Sequence, residues 1–445
     1  MAGHSDFSHL NVEEHFKFTA EGKKRVILAF IAGLVALIVG IFLLSKGEHE
    51  AAHGVAEQAS NHGEHGLNIS GGAVAHHDSY HWTNRIWANL WLNCVYFTGI
   101  AMIGMFFVSL QYLSKAGWSS VVKRVPEAFP RFLFITMPIM LLVFWFKGDV
   151  LFHWLHEGIT DPNSEHFDKI IAGKSAYLNK PFFLIRLVLF FTLWILLWSW
   201  IRKKSIEEDT LGGNDSFYSM VKIGTTFIVV LGVSSSMFAW DWVMSIDTHW
   251  FSTMFGWYMF ASWHVSGLAV ITLTVLLLKD RGYMKYVNLN HLHDLGKLMF
   301  AFSIFWTYVW FAQFLLIYYA NFSEETIYFL ERWEGHNKIY KATEILNVFM
   351  NFFFPFLIMM TRDAKRTPIF LKLCCAFILM GHYLDFYQMI MPGTVGSHGG
   401  YGLVEFGMLG MFIAAFIYVV STELTKASLV AKNHPFLSEA LHHDI

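Results

Sequence analysis

The sequence predicts an all-α, polytopic membrane protein with about ten transmembrane helices. Three observations carry the prediction. Of the 445 residues, 55% are hydrophobic and only 15% charged, more apolar content than a soluble core needs. The apolar residues gather into separate runs, each long enough to cross about 30 Å of hydrocarbon. Lys and Arg concentrate in alternate connections, as cytoplasmic loops require.

The runs fall near 25–44, 84–113, 129–147, 182–201, 217–246, 253–278, 296–320, 342–361, 368–391 and 402–421. The first follows a polar arm, 1–24, and ends in Leu43-Leu44-Ser45-Lys46 without a small-residue cleavage site, so it is expected to remain as a helix rather than leave as a signal peptide. The ten-helix domain spans 25–421, and a short tail covers 422–445. An even span count puts both termini on one side. Lys17, Lys23, Lys24 and Arg25 lie there, followed by Lys123 and Arg124, by Arg202, Lys203 and Lys204, and by Arg362, Lys365 and Arg366. Both termini are therefore expected in the cytoplasm. The opposite face carries a His-rich loop at 45–81, a polar stretch at 148–181 and an acidic connection at 321–341, long enough to dock extrinsic partners.

Composition also excludes. A net charge of −2 with scattered basic residues offers nucleic acid no surface, and lipid is the surrounding partner. Cys94, Cys374 and Cys375 all lie in apolar runs, so no CxxC, CxxCH or iron–sulfur ligand set can be written, and no metal site is expected. The histidines between 49 and 81 are too irregularly spaced for a defined metal site. His264 and His382 lie at matching depth, as two axial haem ligands would, but no second such pair exists, and haem is not expected in this chain.

Ionisable groups inside hydrocarbon are costly and are functional candidates by default. On the fifth run these are Asp241, with Asp247 and His249 at its edge. The ninth carries His382, Asp385 and Gln388 at i, i+3 and i+6, roughly one helical face. The eighth has Glu344, Asn347 and Asn351, the tenth begins with Glu405, the fourth with Arg186, and His264 lies two turns into the sixth. All share a depth in the outer half of the membrane, so a common cavity is expected. A quinol site needs polar partners for its ring oxygens, a titratable group and aromatic walls; a carboxylate–histidine chain serves equally as a proton path. The competing readings are structural. Asp247, His249, Arg186, Glu344 and Glu405 are near enough to an edge to be solvated caps, and Arg186 is a natural countercharge to a buried carboxylate. Lys222, Thr225, Thr226 and Ser234 to Ser236 make either an inward proton path or helix-packing contacts.

The segments Asp241-Trp242-Val243-Met244-Ser245-Ile246-Asp247-Thr248-His249-Trp250 and His293-Asp294-Leu295-Gly296-Lys297 resemble the ActF family, as does Phe311-Ala312-Gln313-Phe314-Leu315-Leu316-Ile317-Tyr318-Tyr319-Ala320-Asn321. ActF is the second NrfD-like membrane subunit of bacterial alternative complex III, a quinol:cytochrome c (or other electron acceptor) oxidoreductase. The resemblance runs along nearly the whole chain. It implies a pair of four-helix bundles with peripheral helices in a bacterial inner membrane. It also implies partners: a homologous NrfD-like quinone-binding subunit, an outer-face iron–sulfur protein and c-type cytochrome subunits. Haem c and iron–sulfur clusters would then sit in those partners, with quinone or menaquinone as the only cofactor this chain would meet. The expected function is a quinone-like cavity or proton pathway within such a complex. The alternatives are a scaffold subunit without a quinone site and a self-contained ion or solute transporter.

Overall fold

The computed structural model describes residues 12–61, 81–212, 214–335 and 338–444. Among these there is no strand, and ten helices are long and apolar enough to cross a membrane. They are α1 (Ala20–Asn61), α2 (Thr83–Leu113), α3 (Leu133–Leu151), α4 (Lys180–Leu211), α5 (Asn214–Phe238), α6 (Phe255–Asp280), α7 (Leu289–Ala320), α8 (Lys338–Val348), α9 (Pro368–Val395) and α10 (Leu403–Leu424). The chain is a multi-pass membrane protein. α5 is prolonged by a π-helical turn, Ala239–Val243, and α8 by a second, Phe349–Phe353, before Phe354–Ile358 completes its crossing.

Burial sorts these helices. α2 is apolar all round, and 94% of its central window is buried, whereas α1 is 11% buried and lies at the periphery. α2 packs against α3 and α5 and against α6 and α9, and α5 also meets α6. α4 joins α3 and α5; α7 joins α6, and α8 joins α9. α1 and α10 pair outside. Close approach is bought with glycine: a Cβ on Gly99 of α2 would lie 1.8 Å from the Trp263 ring of α6, and one on Gly40 of α1 would lie 2.7 Å from the Val404 nitrogen of α10.

Both terminal segments lie at one end of the bundle. The Leu429 amide donates to the Glu14 carbonyl at 2.7 Å, and Lys432 pairs with Glu13 at 2.7 Å. Two expectations about loops change here. α1 continues to Asn61, so the first part of the 45–81 segment is helical; the rest of that segment, 62–80, lies outside the described residues. The acidic 321–341 connection contains an amphipathic helix, Ser323–Trp333, that buries Tyr328 and Arg332. Lys123 and Arg124, read as loop cations, are in fact buried. Lys123 pairs with Glu208; Arg124 pairs with Asp209 at 2.6 Å and, with Arg202 and Ser205, surrounds Glu127.

Candidate functional site

The α9 face of His382, Asp385 and Gln388 is turned inward, and all three residues are buried. Asp385 meets three neighbouring helices at once. Its Oδ1 accepts from the Tyr258 hydroxyl of α6 and from Asn347 Nδ2 of α8 at 2.9 Å. Its Oδ2 accepts from Ser262 Oγ of α6 at 2.6 Å and from Trp306 Nε1 of α7 at 3.0 Å. Trp306 also donates to Ser262 Oγ at 2.9 Å, and Asn351 Nδ2 supports Asn347 from the π-helical turn at 2.5 Å. His382 Nδ1 stands 3.7 Å from Asp385 Oδ2, beyond hydrogen-bond reach, and neither ring nitrogen has a hydrogen-bond partner among the described residues. One turn from Asn347, Glu344 accepts from Trp310 Nε1 at 2.8 Å.

No lysine or arginine among the described residues answers this carboxylate. Eight carboxylates are buried among the described residues: Glu127, Glu208, Asp241, Asp294, Glu344, Asp385, Glu405 and Glu423. Six of them have a lysine or arginine within ion-pair distance, and Glu344 and Asp385 do not. A charge without a countercharge in a low-dielectric interior is expensive, so this centre departs from the rule the rest of the chain follows.

The other sequence candidates do not join it. Asp241, turned inward by the π-helical turn, is held by both arms of Arg186, Nε at 2.6 Å and Nη2 at 3.0 Å, with the guanidinium stacked on Tyr177. This is the countercharge arrangement, and it sits on the α4–α5 side of α2. Glu405 receives Arg85 on both oxygens, at 2.6 and 2.8 Å, and also caps its own helix through the Gly402 amide. Asp247 pairs with Arg332 at 2.9 Å. His249 pairs with Asp168 at 2.6 Å over the short helix Lys169–Lys174, which Asp168 caps. Burial raises the Asp168 carboxyl, but the Ile171 amide, His249 and the Ile170 amide together hold it below its ordinary value. His264 is ringed by Phe302, Phe260 and Phe106, with centroids 4.1 to 5.7 Å away, and has no polar partner at Nδ1 among the described residues. The expected common cavity therefore resolves into separate pairs around one uncompensated centre.

The expected inward proton path also resolves into packing. Thr225 and Thr226 are exposed and donate to the carbonyls one turn earlier, and Ser234 receives Trp194 Nε1 at 3.1 Å. Sequence reasoning missed Tyr258, Ser262 and Trp306, although Tyr258 and Ser262 stand four residues apart on one face. It also missed Arg332, whose buried guanidinium lies 3.4 Å from the Tyr328 ring and donates to the Gln388 carbonyl.

The four donors around Asp385 are already spent on it, so a quinone oxygen would have to displace one of them. What the arrangement can do is hold or release a proton. No protein-family model matches the chain, and no curated protein matches it.

Proposed function

We propose that the chain is the second NrfD-like membrane subunit of a respiratory quinol:cytochrome c (or other acceptor) oxidoreductase, and that Asp385 with His382 and Glu344 is its proton-handling centre. The observation that carries the site assignment is the buried Asp385 carboxylate with four hydrogen-bond donors and no lysine or arginine among the described residues within ion-pair distance. Every other part of the assignment comes from the sequence resemblance and from the packing of two helix groups about α2, which suits a pair of four-helix bundles. In this reading the membrane is a bacterial inner membrane with both termini cytoplasmic. Electrons travel through haem c and iron–sulfur clusters of partner subunits, and quinol is oxidised on the homologous partner.

The chemistry assigned to this chain is proton transfer alone. Trp306 and Asn347 donate to Asp385 through nitrogens that cannot accept, whereas Tyr258 and Ser262 carry hydroxyls that can reverse. A proton on Oδ2 is therefore shared with Ser262, and one on Oδ1 with Tyr258. His382 relays it after a shift of less than an ångström from its 3.7 Å separation, and Glu344 continues the path toward the loop end. The test is turnover and proton release of the assembled complex carrying Asp385→Asn. Loss of both at normal assembly is expected; unchanged proton release would remove the centre from the mechanism. The transporter alternative would be favoured by isolation of a lone, colourless chain in place of a complex with cytochrome and iron–sulfur partners.

A further inference from the structure

We propose that the groove between α6, α9 and α10 holds one acyl chain of an anionic glycerophospholipid, with its phosphate on Arg281. The groove is the cavity of about 420 Å³ floored by Tyr96 and Ile100 of α2. Leu277 of α6, Met380 of α9 and Ile413 and Ile417 of α10 form its rims, each at least 40% exposed, so it opens sideways to the surroundings of the bundle rather than to an aqueous end. From Val270 to Arg281 its α6 wall is about 16 Å long at 1.5 Å per residue. That matches one leaflet, about half of the 30 Å hydrocarbon core.

The two ends of the groove differ in chemistry. At the terminal end stands Arg281, exposed and with no ion pair or side-chain hydrogen bond among the described residues. Phe16 roofs that end, fixed by its edge contact with Tyr283 at 5.3 Å and by the Glu14 carboxylate, which accepts from the Met284 amide at 2.8 Å. At the deep end the two tyrosine hydroxyls are taken. Tyr96 donates to the Leu379 carbonyl at 2.9 Å, and Tyr383 shares its hydroxyl with Asn93 and Asn89 at 3.3 and 3.4 Å. A quinone would need free polar groups at the deep end and would make no use of a cation at the mouth. A phospholipid needs the reverse: an apolar slot and an anion site at the interface. The inference does not depend on the proton-handling assignment.

The full-length chain in mild detergent is examined by native mass spectrometry with added phosphatidylglycerol or phosphatidylcholine of identical chains. Phosphatidylglycerol is expected to be retained at one per chain in preference to phosphatidylcholine. Arg281→Gln, at an exposed position, should lower that retention about fivefold, as the loss of one interfacial cation implies. Arg281→Lys should keep most of it, and Ala376→Phe, which fills the groove, should abolish it. Equal retention of the two lipids, retention unchanged in Arg281→Gln, or a quinone co-isolating with the wild type and lost in Ala376→Phe would each overturn the proposal.

Discussion

Replacing Arg186 with Met removes the only cation among the described residues that pairs with Asp241 and leaves the carboxylate 1% exposed. Two charges about 4 Å apart attract by about 4 kcal/mol at an effective dielectric of about 20. Desolvating each ion costs several kcal/mol, so the intact pair stands near balance. The single variant loses the attraction and keeps the penalty on Asp241; the expected cost is about 3–5 kcal/mol. Asp241→Leu strands the guanidinium instead and should cost a similar amount, softened by the Tyr177 ring 4.0 Å from it. The double variant Arg186→Met/Asp241→Leu removes both ions and both penalties and should return to within about 1–2 kcal/mol of wild type or exceed it. Thermal melting of the tagged chain in detergent, followed by size exclusion, ranks the four proteins. If the double variant melts as low as the singles, the pair is not the balance described. If it melts like wild type but turnover of the complex is lost, Asp241 takes part in chemistry rather than only in architecture.

Asp385→Asn should melt closer to wild type than Asp241→Asn, because it strands no cation; its cost is one donor-to-donor contact, about 1–3 kcal/mol. Gly99→Ala should sharply reduce the yield of folded chain, since its Cβ would lie 1.8 Å from the Trp263 ring and overpacking costs about 1–3 kcal/mol or more; normal yield would mean α2 and α6 can separate. Asp168→Ala should free the Lys169–Lys174 helix at about 0.5–2 kcal/mol, seen as faster amide exchange at Ile170 and Ile171, with no change in the membrane helices. The C-terminal tail should loosen in acid. Burial first, then Lys123 and Arg124, hold His434 well below 6.5, so the folded tail keeps the ring neutral while the unfolded tail takes up a proton below that pH. Docking is therefore complete above about pH 6.5 and weakens as pH falls. Protease cleavage after Lys426 and Lys432 at pH 7.5 and 5.5 reads this, and an unchanged rate in wild type would contradict it.

The span count was legible because each crossing writes a run of some twenty apolar residues into the sequence, independent of its neighbours. Azimuth was not. A position along a helix constrains only one coordinate, and the faces that Asp241, Asp385 and Glu405 occupy lead to different partners. The π-helical turn at Ala239–Val243 adds to this, because an inserted residue rotates the face on which Asp241 sits and no periodicity announces it. Arg332 was hidden by its surroundings, an acidic connection whose composition reads as solvated, although Tyr328 and Arg332 four residues apart record one buried face. Trp306 and Tyr258 were hidden by abundance: among 17 tryptophans and 17 tyrosines, none declares from sequence whether its polar edge meets water or a carboxylate.

The placing of cations separates architecture from chemistry within one bundle. On the α4–α5 side of α2, each buried carboxylate is clamped by an arginine or lysine, which fixes its geometry. On the α6–α9 side, Asp385 is fixed in position by four donors from three helices, with no lysine or arginine among the described residues within ion-pair distance. Two of those donors are nitrogens that only donate, so they hold the carboxylate in place in either state. The other two are hydroxyls, which can both donate and accept. Hydroxyl donors alone do not mark such a site, since Ser205 also donates to the clamped Glu127; Asp385 differs in that no lysine or arginine among the described residues lies within ion-pair distance of it. The mixture of fixed and reversible donors is what a site requires if a proton is to come and go without the helices moving.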